Sequence, residues 1–180
     1  MPWSVVLPPS ENLDGTAPPP NQELRALMDG AMNRLVEDGT YTAEEIAAVR
    51  DTDAVRSWAP QPLHGPRTTL AVVGAKVVGG AELFQRQNPP SWFLDNLVRD
   101  PSPEFKGVGR EVAEAAIGWW LVLNRYRHLD QPLRVHAMVR ETHARDWWTR
   151  FFKRPPDFTG AYVEARGLRF DAVGWITYPV

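Results

Sequence analysis

The sequence predicts one mixed α/β domain: a mostly antiparallel central sheet of six to seven strands flanked by about four helices. Three observations predict it. Residues 69–98 alternate in short apolar runs broken by Gly- and Pro-containing turns, as a strand meander does. Arg110 to Arg125 is apolar around most of its circumference and so must form a buried helix. From Thr142, Ala144, Trp147, Trp148, Phe151 and Phe152 recur at helical spacing until Pro155-Pro156 stops the pattern.

The elements follow in order. Val5-Val6-Leu7 is β-branched just before Pro8-Pro9 and reads as a short first strand. Residues 1–20 carry six of the 17 prolines and form an extended, polar lead-in; the domain proper occupies 21–180. A helix starts at Asn21, an N-cap residue type, with Leu24, Leu27, Met28, Ala31 and Leu35 on one stripe and Gly39 past its end. A second opens at Thr42, which can cap the Glu45 amide while Glu45 reaches back, with Tyr41 and Ile46 as a hydrophobic staple. Pro60, Pro62, Gly65 and Pro66 mark a loop. Strands at 69–73, 77–84 and 92–98 come next, the first two joined by Gly74-Ala75-Lys76. Lys106-Gly107-Val108-Gly109 then leads into the buried helix, predicted to begin near Arg110. A strand at 133–139, the aromatic helix, and strands at 161–165 and 168–178 complete the chain.

Composition bounds the chemistry. With 180 residues, 20 Lys+Arg against 22 Asp+Glu and a net charge of −2, the chain has no basic field suited to general nucleic-acid binding. It has no cysteine, which excludes disulfides, thiolate nucleophiles and cysteine-ligated metals. Its longest apolar stretch, Ala115 to Leu123, is about half of the roughly 20 residues a membrane helix needs. Met1-Pro2-Trp3-Ser4 lacks a basic signal-peptide start, so a cytoplasmic location without membrane association is expected. His136 and His143 have no recognised metal spacing, and no metal is expected. No Ser stands in a strand-to-helix elbow, so an esterase triad has no support.

Strand, two helices, three meandering strands, a glycine loop with a buried helix, strand, helix, two strands: with Asn96-Leu97-Val98-Arg99-Asp100-Pro101 running into Lys106-Gly107-Val108-Gly109, the chain resembles the GCN5-related N-acetyltransferase (GNAT) family. The likeness covers nearly the whole chain in element order and is motif-level over about Asp95 to Arg110. It implies acyl-CoA, most simply acetyl-CoA, as cosubstrate, and a small-molecule or peptide amine as acceptor. Leu97, Val98, Lys106, Gly107, Val108, Gly109 and Arg110 are then the cofactor-binding residues, the loop amides holding the pyrophosphate. Physical chemistry supports that role, because glycines admit close backbone approach and the first helical amides attract anions.

Four positions, in two places, depart from the family pattern. Glu104 stands where Arg or Gln is usual, with Phe105 in place of a small residue, and Lys106 offsets part of the added negative charge. Trp148 stands where many relatives hold a Tyr that protonates the leaving thiolate, and Glu141 where they hold Asn; indole cannot donate that proton. The resemblance implies Asp95 as the base that deprotonates the amine, with Glu82 on the preceding strand as second candidate. The expected function is acyl-CoA-dependent N-acyltransfer within a ternary complex. The alternatives are a catalytically inactive binding or regulatory module of the same fold, and a structural partner protein using its tryptophans and proline-rich head. Oligomeric state is not legible, a homodimer being one option.

Overall fold

A computed structural model of the chain describes residues 3–8, 21–50, 67–87, 89–165 and 168–178. Among the described residues, seven strands and four α-helices run in the order β1 (Ser4–Val6), α1 (Gln22–Glu37), α2 (Ala43–Arg50), β2 (Arg67–Val73), β3 (Lys76–Gln87), β4 (Pro90–Arg99), α3 (Val108–Tyr126), β5 (Leu133–Met138), α4 (Thr142–Phe152), β6 (Asp157–Ala165) and β7 (Leu168–Tyr178). This is the mixed, mostly antiparallel α/β class that the periodicities predict. The proline-rich residues 9–20, the predicted end of the second helix and following loop within 51–66, and the Arg166-Gly167 turn lie outside the described residues. No helix among the described residues is long and apolar enough to cross a membrane.

The chain forms two compact units. The first comprises residues 1–31, 61–133 and 179–180, and its strands are ordered β1-β2-β3-β4. All three ladders are antiparallel, with Val5 opposite Ala71, Leu70 opposite Gly80, and Phe84 opposite Phe93. The hairpin turn is shorter than predicted: Val73 pairs with Lys76, and Gly74 at φ +58 makes a two-residue turn of Gly74-Ala75.

Helix α3 buries Val108, Val112, Ala113, Ala116, Ile117 and Trp120 along one face only; Leu121, Val122 and Tyr126 on its other face are exposed, so the burial around most of its circumference expected from the sequence is not what the structure shows. It begins at Val108, two residues earlier than predicted, because Gly107 adopts φ +106 and serves as N-cap. The start of α1 packs Leu24, fully buried, against Val77 and Val98, with Leu27, Met28 and Ala31 beside them. Burying such a leucine contributes roughly 1.5–3 kcal/mol. Gly79 and Gly80 permit both helices to approach β3. A Cβ on Gly80 would stand 2.7 Å from Leu24 Cδ1 and 2.9 Å from the Thr69 carbonyl, and one on Gly79 would meet Val108 Cγ1 at 2.5 Å.

The second unit comprises residues 32–60 and 134–178, with strands ordered β5-β7-β6. β6 starts at Asp157, four residues before the predicted Ala161; an irregular stretch containing Gly160 at φ +84 separates the pair Asp157–Trp175 from the pair Ala161–Val173. Thr42 and Glu45 form the predicted capping box, with the Glu45 amide donating to Thr42 Oγ1 at 3.1 Å and the Thr42 amide to Glu45 Oε2 at 2.8 Å. Tyr41 and Ile46, the predicted staple, are both 5% exposed.

Tyr41 also donates its hydroxyl to Asp171 at 2.5 Å. Burial first, then the charges of Glu141 and Asp171, push its phenol well above the ordinary value, so it stays protonated. Arg140 lies over the Tyr41 ring, pairs with Glu45 at 2.8 Å and donates to the Thr40 carbonyl. His136 packs edge-on against Trp175, as expected of a packing histidine.

Candidate active site

Every predicted site residue lies in the first unit, and one irregularity in β4 arranges them. Gly80 opposes Val98 and Glu82 opposes Asp95, so β4 uses three steps where β3 uses two. The extra residue makes a bulge, and Asn96 within it takes φ +54, a left-handed conformation that Asn tolerates better than most side chains.

On one side of the bulge stand the two carboxylates. Glu82 is 4% exposed, and burial raises its pKa above the ordinary carboxylate value; Asp95 adds to the rise, while Asn96 and Arg25 oppose it. Asn96 donates its side-chain amide to Glu82 Oε2 at 2.6 Å and its backbone amide to Asp95 Oδ1 at 2.7 Å. Glu82 and Asp95, separate candidates in the sequence, are thus cross-strand partners joined by a residue that sequence reasoning did not single out.

On the other side, Leu97 and Val98 continue β4 toward the glycine loop. Gly79, opposite Arg99, is where the Val98 carbonyl and the Val108 side chain converge, so the start of α3 sits directly against this end of β4. The intervening loop is pinned at several points. Asp100 Oδ1 accepts the Ser102 amide at 2.9 Å and Oδ2 pairs with Lys76 at 3.2 Å. Arg99 donates to the Asp100 carbonyl at 2.7 Å.

Phe105 explains its own departure from the family pattern. It ends the 3-10 turn Pro103–Phe105, is 6% exposed, and packs edge-on against Trp3, whose indole N–H donates to Glu111 in the first turn of α3 at 2.8 Å. Glu104, in the same turn, is exposed.

The bonds from Ser102, followed by Lys76, hold the Asp100 carboxyl down to about 2. A depressed carboxylate pKa stabilises the fold above the unfolded value near 3.9, and that contribution is lost as pH falls toward 2. Asp100→Asn is therefore expected to lower unfolding stability by about 2 kcal/mol at pH 7. In urea melts at successive pH values the deficit should shrink between pH 4 and 2; a deficit independent of pH would contradict the assignment.

At the helix start, Gly107 caps α3 without a side chain. The Arg110 and Glu111 amides turn back to the Gly107 carbonyl at 3.0 and 3.2 Å. Val108 and Gly109 thus carry the outward amides that a helix start leaves for an external acceptor. A Cβ added at Gly107 or Gly109 would meet no atom within 4 Å, so the backbone there faces open space. Lys106 and Arg110 are exposed beside it, Arg110 pairing with Glu114 at 2.8 Å. Such a set suits a phosphate-bearing ligand: bare backbone donors, the positive end of a 19-residue helix, and two cations.

In the second unit, Trp148 is 7% exposed and stacks on Phe152 with the rings 5.6 Å apart, and Trp147 stacks on Phe151 at 5.1 Å. The pattern is that of core packing. Among the described residues, no group of three or more His, Asp or Glu side chains is placed to hold a metal ion.

No family model matches the sequence, and no curated protein matches it. Solved structures do resemble it. A Bacillus subtilis acetyltransferase solved in complex with CoA is 13% identical, with 99% of each chain covered and a TM-score of 0.53. A GNAT-family acetyltransferase from Staphylococcus aureus is 8% identical, with 97% of this chain and 98% of that chain covered and a TM-score of 0.50. The protein has the GNAT fold.

Proposed function

We propose that the protein is an acyl-CoA-dependent N-acyltransferase, moving an acetyl or other acyl group to an amine of a small molecule or peptide by direct attack in a ternary complex. The observation that carries this reading is the bulged β4 leading into a glycine-capped α3 with open space before Gly107 and Gly109, on the GNAT fold. Val108 and Gly109 amides, with Lys106 and Arg110, would hold the pyrophosphate, and Leu97 and Val98 would align the pantetheine. When bound, the thioester supplies an electrophilic carbonyl and a thiolate leaving group.

The acceptor amine must lose a proton to attack. Of the paired acids, Glu82 is the better acceptor: burial raises its proton affinity above the ordinary carboxylate value, and Asp95 beside it reinforces the shift. That reverses the order of the two carboxylates expected from the sequence. The leaving thiolate resembles a cysteine thiolate, with a pKa of roughly 8.5, and can depart without the acid that Trp148 fails to supply.

A second reading, an inactive binding module, is favoured by one observation: Trp148 is buried in aromatic stacking where a hydroxyl would serve catalysis. The two readings separate in one assay. Acetyl-CoA is incubated with the protein and a panel of primary amines, and free thiol is followed. Amine-dependent thiol release is expected; CoA binding without release from any amine would establish the inactive reading instead.

A further inference from the structure

We infer that Asn96 is the positioning residue of this site, holding the Glu82 carboxylate across the β4 bulge in the orientation that a proton acceptor needs. The inference rests on the acyl-transfer reading and adds the residue that makes Glu82 competent for it.

The register places Glu82 directly opposite Asp95, so two carboxylates face each other on neighbouring strands. Like charges directly across a ladder repel, and with Glu82 only 4% exposed little water screens them. Asn96 answers both acids at once: its side-chain amide donates to Glu82 at 2.6 Å and its backbone amide to Asp95 at 2.7 Å. A carboxylate only accepts, so the amide nitrogen of Asn96 must face Glu82.

The backbone shows what this placement costs. Mid-strand φ of +54 is unfavourable for any residue with a Cβ, by about 1 kcal/mol or more, and is maintained only where the surroundings enforce it. The bulge supplies that enforcement, since the extra residue in β4 is what lets position 96 turn its side chain toward β3. Asn alone among common side chains combines tolerance of the left-handed region with a neutral donor of this length; Gly lacks the donor, and Asp would bring a third negative charge.

The charged groups acting on Glu82 are Asp95 from β4, which resists its ionisation, and Arg25 from α1, which favours it. Asn96 works with Arg25 against burial and Asp95. Removing its donor should therefore make Glu82 harder to ionise, and the acid limb of catalysis should follow.

Two variants and two readouts test this. Asn96→Gly keeps the left-handed backbone and deletes the donor, while Asn96→Asp keeps the side-chain shape and reverses its polarity. Carbon-13 titration of the Glu82 carboxyl is expected to show its midpoint rising by roughly one pH unit in Asn96→Gly and further in Asn96→Asp. The acid limb of kcat/KM should rise in parallel, and the high-pH plateau should fall in both variants as Glu82 loses the hydrogen bond that orients it. A Glu82 midpoint that stays in place in both variants would overturn the inference, as would a shifted midpoint with an unmoved acid limb. Because the titration requires no turnover, it judges Asn96 even if the native protein transfers no acyl group, an outcome that would instead sink the acyl-transfer reading.

Discussion

Replacing Glu82 with Gln is expected to lower kcat/KM for acyl transfer by about 10² to 10⁴, the range that a positioned general base contributes. The amide occupies nearly the same volume and can still accept the Asn96 hydrogen bond, so orientation survives while proton affinity is lost. Stability should not suffer. A carboxyl whose pKa is raised on folding destabilises the native state as pH climbs from the unfolded value near 4.3 through the folded one, and neutral Gln escapes that penalty. The melting temperature at pH 7 should thus be unchanged or higher. The rate deficit should narrow at alkaline pH, where the amine is already free. Asp95→Asn should cost less than Glu82→Gln; the reverse ranking would return the base role to Asp95.

Replacing Gly109 with Trp is expected to weaken CoA binding about 10- to 100-fold, the value of one lost charge-assisted hydrogen bond of roughly 1.5–3 kcal/mol. Gly109 is helical, and a Cβ there would meet no other residue within 4 Å, so the side chain would leave the backbone into open space. A non-glycine residue in a helix is also favoured by roughly half a kcal/mol or more over glycine. The variant should therefore melt no lower than the native chain while its ligand site is filled by its own side chain. Gly107 would be a poor substitute for this test, because at φ +106 any Cβ strains the turn itself.

What could be read from the sequence was what local rules govern. The Asn21 cap, whose Oδ1 accepts the Leu24 amide at 2.9 Å, the Thr42–Glu45 box and the buried apolar stripe of α3 all depend on residues a turn or two apart. The Gly107-Val108-Gly109 loop was legible for the same reason. The β4 bulge was not, since it is a difference in step count between two strands and appears only once Glu82 is set opposite Asp95. Asn96 stands within the family-like motif, but nothing local assigns it a role, because its partner lies 14 residues away across that ladder. Phe105 looked anomalous until Trp3, from the far end of the chain, supplied its partner. The starts of α3 and β6 were misplaced where glycines at positive φ set the boundary or the irregularity beside it.

Calorimetric titration of the native protein with CoA tests the central claim most directly. One saturable site per chain is expected, competed by inorganic pyrophosphate and weakened in the Gly109→Trp variant without loss of thermal stability. A flat titration at millimolar CoA, with the protein folded, would contradict the account.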